Sequence, residues 1–143
     1  MTVYVIDASV ASRFLLVEDL SDKAGLVLEG FLRGAFDLTA PKLVVYEVGN
    51  TLWKAVKQRL ISLHEAEEKL LYFLQLKIDS IKLDREEHRE VLRWSVKNDV
   101  TYYDSIYVRS SKKIGAALLT ADDVLYEKAS KEVPTLHLKD YEK

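Results

Sequence analysis

Cysteine is absent from this sequence, and methionine, proline and glycine are scarce, with one, two and five residues respectively. Without cysteine the chain forms neither disulfide bonds nor thiolate metal sites, which is typical of a reducing compartment, so we expect a cytoplasmic protein. The scarcity of proline and glycine argues against long flexible linkers. No apolar run approaches the roughly 18–20 residues of a membrane span. No basic region precedes the first apolar stretch, so a signal peptide is not expected either.

Neither sign of charge is in large excess, since 21 Lys and Arg face 23 Asp and Glu and the net charge is −2 at pH 7. Proteins that hold long stretches of nucleic acid by counterion release are usually basic, so any such contact here is expected to be local or mediated by cations. The 48% hydrophobic and 31% charged residues indicate a globular protein and argue against a disordered one. We expect a single domain over residues 1–143.

Short β-branched apolar runs alternate with segments of helical periodicity along the whole chain. Strands are predicted at TVYVI, AFDLTA, IDSIKL, AALLT and TLHL, and each of the first four is followed by at least one helical segment. Pro41 is expected to end the second strand. The alternation predicts the α/β class, as a three-layer α/β/α sandwich with a central parallel sheet.

Several helix boundaries are marked by capping residues. Ser21 is expected to cap a helix that continues to about Leu32. Ser62 with Glu65, and Asp84 with Glu87, have the spacing of capping boxes that open two further helices. These signals set where the helical segments begin.

Acidic residues follow two of the predicted strands. Asp7 comes directly after VYVI, and Asp122 and Asp123 come two and three positions after the end of AALLT. The carboxyl ends of parallel strands share one edge of the sheet, where ligands bind, so these carboxylates are expected to lie close together. An alternative remains open for each one, because Asp before a helix is a preferred N-cap worth about 1 kcal/mol.

Two further acids lie on predicted helices. Glu47 in PKLVVYEVGNTLWK lies beside the apolar stripe of its helix, and Asn50 is within reach of its carboxylate. Asp104 in TYYDSIYV lies in a first helical turn among three tyrosines. Its alternative role is in a capping box with Thr101.

The segments VIDASV, YEVGNTL, YYDSIYV and LLTADD, in this order, resemble the PIN-domain ribonucleases, most closely the VapC toxins of prokaryotic toxin–antitoxin pairs. The resemblance extends from Val3 to about Leu138. It implies that four acids are catalytic and bind metal: Asp7, Glu47, Asp104 and Asp122. It implies that three smaller polar residues assist the cofactor site: Ser9, Asn50 and Thr120. Ser105 stands where the family commonly has alanine, and Asp123 is a less favoured ligand than its neighbour.

The chemistry of clustered acids supports a metal. Two carboxylates about 4 Å apart repel by roughly 4 kcal/mol at an effective dielectric constant near 20, so four need protons or cations. With three histidines and no cysteine, an all-oxygen site suits Mg²⁺ or Mn²⁺ rather than Zn²⁺. Such ions assist phosphodiester hydrolysis by activating water. We expect three acids to bind metal directly or through water, with Glu47 holding a second metal or the attacking water.

The resemblance also implies partners. These are an RNA substrate, a second copy in a homodimer, and a cognate VapB-like antitoxin whose helix occupies an apolar groove and whose Arg or Lys blocks the site. No membrane partner is expected. Two groups of basic residues are candidates for the RNA strand, although both also fit ordinary solvated helix charges: Lys54, Lys57 and Arg59, or Arg109, Lys112 and Lys113.

Three other protein classes are alternatives for a chain with this pattern of acids. Haloacid dehalogenases place a second acid two residues after the first, where this chain has Ser9, and receiver domains place an acidic pair after the first strand, where this chain has one acid. Both are disfavoured. A catalytically silent PIN-like module that binds a protein partner remains the alternative, distinguished by whether metal stabilises the fold.

Overall fold

Five short strands form one fully parallel sheet in the computed structural model, which describes residues 1–143. The strand order is β3-β2-β1-β4-β5. In register, Val5 of β1 pairs with Thr39 of β2 on one side and with Leu118 of β4 on the other. The strand bounds are β1 Val3–Ile6, β2 Asp37–Pro41, β3 Asp79–Ile81, β4 Ala117–Thr120 and β5 Thr135–His137.

Seven α-helices and a final short 3₁₀ turn complete the chain, and they flank the sheet as the outer layers. The predicted three-layer α/β/α sandwich is thereby confirmed. The helix bounds are α1 Ala8–Arg13, α2 Ser21–Leu32, α3 Leu43–Lys57, α4 Leu63–Gln75, α5 Arg85–Asn98, α6 Tyr102–Ile114 and α7 Asp123–Ala129, and the 3₁₀ turn spans Leu138–Asp140. None of the helices is both long and apolar enough to span a bilayer.

The core is centred on β1 and its neighbour β4, two interior strands of the sheet that have helices on both faces. Val5 and Ile6 of β1 and Leu118 and Leu119 of β4 are completely buried, as expected for central strands of a parallel sheet. Because both strands are held on both faces, the positions where they end are fixed relative to each other. The residues that follow these two strands therefore face one another across a rigid edge.

The chain adds strands first to one side of β1 and then to the other, so the switch point of the sheet lies between the neighbouring strands β1 and β4. Strands β2 and β3 are added on one side of β1, whereas β4 and β5 lie on the other. At such a point the connections leave the carboxyl edge in opposite directions and open a crevice, which is where ligands bind in open α/β sheets. Asp7 and Ala121 are the first residues beyond β1 and β4, so the crevice lies between them.

Both predicted capping boxes are present, at Ser62 with Glu65 and at Asp84 with Glu87. The prediction that Ser21 caps α2 is wrong. The N-cap is Leu20, in the left-handed conformation with φ 63°. The Ser21 hydroxyl is used by the preceding turn instead, where it accepts from the Glu18 N–H and donates to a backbone carbonyl. Pro41 is the last residue of β2 rather than the residue that stops it.

Candidate active site

Asp7 lies where β1 ends, and its side chain is almost completely buried. One carboxylate oxygen, Oδ1, accepts from the backbone N–H of Val10 at 3.1 Å, which makes Asp7 the N-cap of α1, and from the Ser9 hydroxyl at 2.6 Å. The other, Oδ2, accepts from the Thr120 hydroxyl at 2.5 Å. The capping interpretation is therefore correct for Asp7. It accounts for only one of the two oxygens.

Burial raises the pKa of Asp7 to about 6. Hydrogen bonds from Ser9, Thr120 and Val10 favour the ionised form and limit the rise, while the negative charge of Asp122 adds to it. The net rise in the pKa shows that desolvation of the carboxylate outweighs the three hydrogen bonds that it accepts. A cation placed beside Asp7 would offset that desolvation and stabilise the carboxylate.

Two hydroxyl groups join the ends of β1 and β4. Ser9 Oγ and Thr120 Oγ1 are 3.3 Å apart, and both donate to Asp7. Each also accepts from the β4 side, because the N–H of Ala121 donates to Ser9 at 2.8 Å and the N–H of Asp122 donates to Thr120 at 3.0 Å. This network fixes the orientation of the Asp7 carboxylate from both sides of the crevice.

The two neighbouring acids after β4 have different roles. Asp122 caps α7 by accepting from the N–H of Leu125 at 2.9 Å through Oδ1. Asp123 is directed toward β5, where the Nε2 of His137 donates to it at 2.7 Å, and its side chain is 88% exposed. The imidazole Nδ1 accepts from the N–H of Lys139, so the proton is on Nε2. Asp122 is therefore the acid that faces the crevice.

Asp104 brings a third element to the site, from the first turn of α6. Its N–H donates to the Thr101 hydroxyl at 3.1 Å, so Thr101 is the N-cap. The pKa of Asp104 is raised to about 6, first by burial and then by the charges of Asp122, Asp7 and Glu47, in that order. Because salt screens charges that are far apart, these three acids must lie near Asp104 to raise its pKa. The four predicted acids thus share a single electrostatic environment.

Glu47 is held by a residue that the sequence did not single out. The hydroxyl of Tyr107, a fully buried residue of α6, donates to Glu47 Oε1 at 2.5 Å. Burial, together with this hydrogen bond and the nearby negative charges, raises the pKa of Tyr107, so the phenol remains a donor at every physiological pH. Asn50, which was expected to orient Glu47, is exposed and makes no hydrogen bond to it.

We expect Tyr107→Phe to weaken binding of Mn²⁺ about 10- to 100-fold, the usual effect of losing an outer partner of a metal ligand. The reason is that Glu47 would lose its only side-chain donor and sample several rotamers. Metal titration followed by calorimetry measures the change. Tyr102→Phe is the matched control, since the Tyr102 hydroxyl pairs with His88 instead. Equal affinities in the two variants would show that Tyr107 does not position Glu47.

An open groove of about 630 Å³ runs beside the acids. One wall is a single face of α3, the floor is the start of α1, and Tyr103 stands on the other side. Its lining residues are Ala8, Ser9, Ser12, Leu43, Tyr46, Glu47, Asn50, Thr51, Lys54 and Tyr103. The groove therefore places the side chain of Glu47, one of the four acids, on a surface that is open to a ligand.

The basic residues divide into free and paired ones. Arg109 and Lys113 both form ion pairs with Glu87, and Lys112 pairs with Glu132. Lys54 has no ion pair and lines the groove. The other two candidates are likewise without acidic partners, Lys57 lying over the Trp53 ring at 5.5 Å. The group formed by Lys54, Lys57 and Arg59 is therefore the one with charge available for a ligand.

The donor set fits a hard divalent cation in kind. All four acids offer carboxylate oxygens, the ligands that Mg²⁺ and Mn²⁺ prefer, and burial together with repulsion from the other three raises the pKa of Asp104. No group of three or more acidic or histidine side chains is arranged as a ready-made ligand cage. An open arrangement of this kind suits Mg²⁺, which keeps several waters and takes one or two carboxylates directly.

The PIN domain family model matches residues 4–131. With the parallel sheet and the acids at its switch point, this match confirms the resemblance of the sequence. The chain belongs to the PIN-domain family.

Known relatives place it beside the VapC group within that family. Ribonuclease VapC3 of Pyrobaculum aerophilum is 35% identical over 128 residues, which cover 87% of this chain and 92% of the relative. The crystal structure of PAE2754 from the same organism is similar with a TM-score of 0.72 at 25% identity, over 96% of this chain and 92% of that one. VapBC2 of Rickettsia felis, crystallised with a promoter DNA fragment, has a TM-score of 0.69 at 12% identity, over 95% and 98% of the two chains, and shows the shared fold alone.

Proposed function

We propose that this chain is a metal-dependent endoribonuclease that hydrolyses RNA phosphodiester bonds and serves as the toxin of a toxin–antitoxin pair. Residues 1–143 act as one PIN domain in this proposal. The observation that carries it is the set of four acids, drawn from four elements, that share one electrostatic environment at the switch point of the sheet. The name of the relative Ribonuclease VapC3 supports RNA as the substrate.

Asp7, Glu47, Asp104 and Asp122 would hold Mg²⁺ or Mn²⁺, directly or through water. When bound, the metal supplies a water of lowered pKa and positive charge for the phosphate oxygens. The chain contributes orientation. Ser9 and Thr120 fix the Asp7 carboxylate, and a buried tyrosine holds Glu47, so the donors need little rearrangement. Asn50 lines the groove from the exposed side of α3, where its amide is available to a ligand.

The alternative, a catalytically silent module that binds a protein partner, is disfavoured because the acids destabilise the metal-free fold. Asp7 and Asp104 both have pKa values raised to about 6, which means that ionising them destabilises the metal-free fold. A surface that only binds a protein has no use for buried, mutually repelling carboxylates. A metal site has, because the cation offsets the repulsion.

Two partners belong to the proposal, a second copy of this chain and a cognate VapB-like antitoxin. Six apolar residues of α2 to α4 are candidates for a partner surface: Leu26, Phe31, Leu70, Tyr72, Phe73 and Leu74. Four of them, Leu26, Phe31, Leu70 and Phe73, pack in or against the hydrophobic core. Tyr72 and Leu74 of α4 remain exposed, as does Trp53 of α3. These exposed apolar residues suit contact with a partner helix, and the acidic crevice suits an antitoxin Arg or Lys. The VapBC2 structure supports an antitoxin as partner.

Cleavage of a mixed single-stranded RNA pool tests the function. We expect cleavage with Mg²⁺ or Mn²⁺, none after treatment with EDTA, and recovery when metal is restored. The melting temperature is measured in parallel, since a ligand that binds only the folded state raises it. If the protein neither cleaves RNA nor melts at a higher temperature with either metal, the docking module is the better account.

A further inference from the structure

We propose that Tyr46 and Tyr103 are stacking platforms for unpaired RNA bases on the two sides of the acidic crevice. This inference rests on the proposed function and adds how the substrate is held. It assigns RNA binding to two residues that lie outside the hydrophobic core and form no hydrogen bond with the acids.

The position of the two rings is the first argument. Tyr46 directly precedes Glu47 on α3, and Tyr103 directly precedes Asp104 on α6, so each tyrosine is next in sequence to an acid of the centre. Both rings line the groove that also contains Glu47. A strand passing the centre would therefore meet one ring on each side of the groove.

Exposure is the second argument. Tyr46 is 62% exposed and Tyr103 is 59% exposed, although both belong to well-packed helices. Neither hydroxyl forms a hydrogen bond within the chain, and neither ring packs against another aromatic residue. Both rings line one groove beside a polar crevice, where an exposed tyrosine face is available to a ligand. The fold itself gains little from them.

The rest of the groove favours a nucleic acid over a protein. Lys54 lies two turns after Tyr46 on the same face of α3 and has no acidic partner, so its charge is available for a phosphate. Asn50 lies between them and offers an amide for base edges. Aromatic rings that alternate with a cation and an amide are the usual surface for single strands, where stacking tolerates any base.

A consequence is that the groove selects unpaired RNA. A base within a duplex has both faces covered by its neighbours, so it cannot stack on a protein ring without leaving the helix. A single strand or a loop offers its bases at no such cost. We therefore expect stronger binding of a single-stranded oligonucleotide than of the same strand in a duplex.

The test uses a mixed-sequence RNA 12-mer that carries 2-aminopurine, whose fluorescence falls on stacking. Binding is measured in an Asp7→Asn background to prevent cleavage, with Tyr46→Leu, Tyr103→Leu and both together. Tyr46→Phe and Tyr103→Phe keep the ring, and Leu32→Ala is the control, because Leu32 is an exposed apolar residue of α2 outside the groove. In the active protein, KM and kcat are measured for the same variants.

Each leucine change is expected to weaken binding and raise KM about 5- to 100-fold, with loss of quenching and kcat within about twofold. The phenylalanine variants and Leu32→Ala should match the parent. Unchanged binding in the double variant overturns the proposal, as does an equal loss in the phenylalanine variants. A change in self-association with unchanged RNA binding, seen by light scattering, would assign the rings to a protein contact and also overturn it. Absence of cleavage by the unchanged protein, with quenching intact, would refute the proposed function and not the stacking.

Discussion

Replacing Asp7 by asparagine is expected to lower metal-dependent RNA cleavage by more than about 100-fold, beyond the usual effect of losing an outer partner of a ligand. Asparagine keeps the size of the side chain and one oxygen that accepts from Val10 and Ser9. It removes the negative charge at the most buried acid of the site. The loss should therefore appear in catalysis without unfolding.

The same substitution is expected to raise the melting temperature of the metal-free protein at pH 8, because the ionised carboxylate is the destabilising form there. Asp123→Asn is the matched control, since Asp123 is exposed and pairs with His137. It should retain activity. Cleavage by Asp7→Asn within tenfold of the unchanged protein would remove Asp7 from the metal site, and equal losses in both variants would point to a general effect of charge.

The order of strands and helices was predictable because local signals agree with the tertiary structure. Apolar β-branched runs gave all five strands, and the reciprocal boxes at Ser62 and Asp84 gave two helix starts. A box contains its own check, because two side chains must fit two backbone groups at fixed spacing. A single serine offers no such check. Nothing in the sequence therefore contradicts Ser21 as a cap. In the structure its hydroxyl forms hydrogen bonds with the turn before the helix instead.

The edge on which the acids lie was predictable from topology alone. Parallel strands place their carboxyl ends together, so the acids after β1 and β4 had to approach. The residue that holds Glu47 was not predictable in this way. Tyr107 is 60 positions further along the chain, and only the packing of α6 against the sheet brings its hydroxyl to α3. Asn50 was chosen because it is near in sequence, yet it is on the exposed side of the helix.

The sequence does contain one signal for Tyr107. It follows Asp104 by three residues, the spacing that places two side chains on the same side of a helix. If Asp104 faces the crevice, Tyr107 must lie beneath it and bring its hydroxyl toward the same acids. The YYDSIYV segment therefore contains two components of the site, a carboxylate and the donor that orients another carboxylate.

Metal binding and stability are coupled through pH in this site. The pKa of Asp7 rises from 3.8 to about 6 on folding, so the folded state holds its proton more tightly than the unfolded state. The resulting stabilisation is complete below pH 4 and is lost as the pH rises through 6. For Asp7 the loss corresponds to about 3 kcal/mol, and the pKa of Asp104 is raised in the same direction. A bound cation removes this loss, because it stabilises the ionised carboxylates.

We therefore expect the metal-free protein to melt on the order of 10 °C lower at pH 8 than at pH 5. Millimolar Mg²⁺ or Mn²⁺ should restore most of the difference at pH 8 and have little effect at pH 5, where protonated carboxyls bind metal poorly. Differential scanning calorimetry at both pH values, with and without metal, measures this. Asp7→Asn should flatten the pH dependence, and Asp123→Asn should not. A melting temperature that is constant from pH 5 to 8, and insensitive to metal at pH 8, would mean that the four acids do not form a cation site.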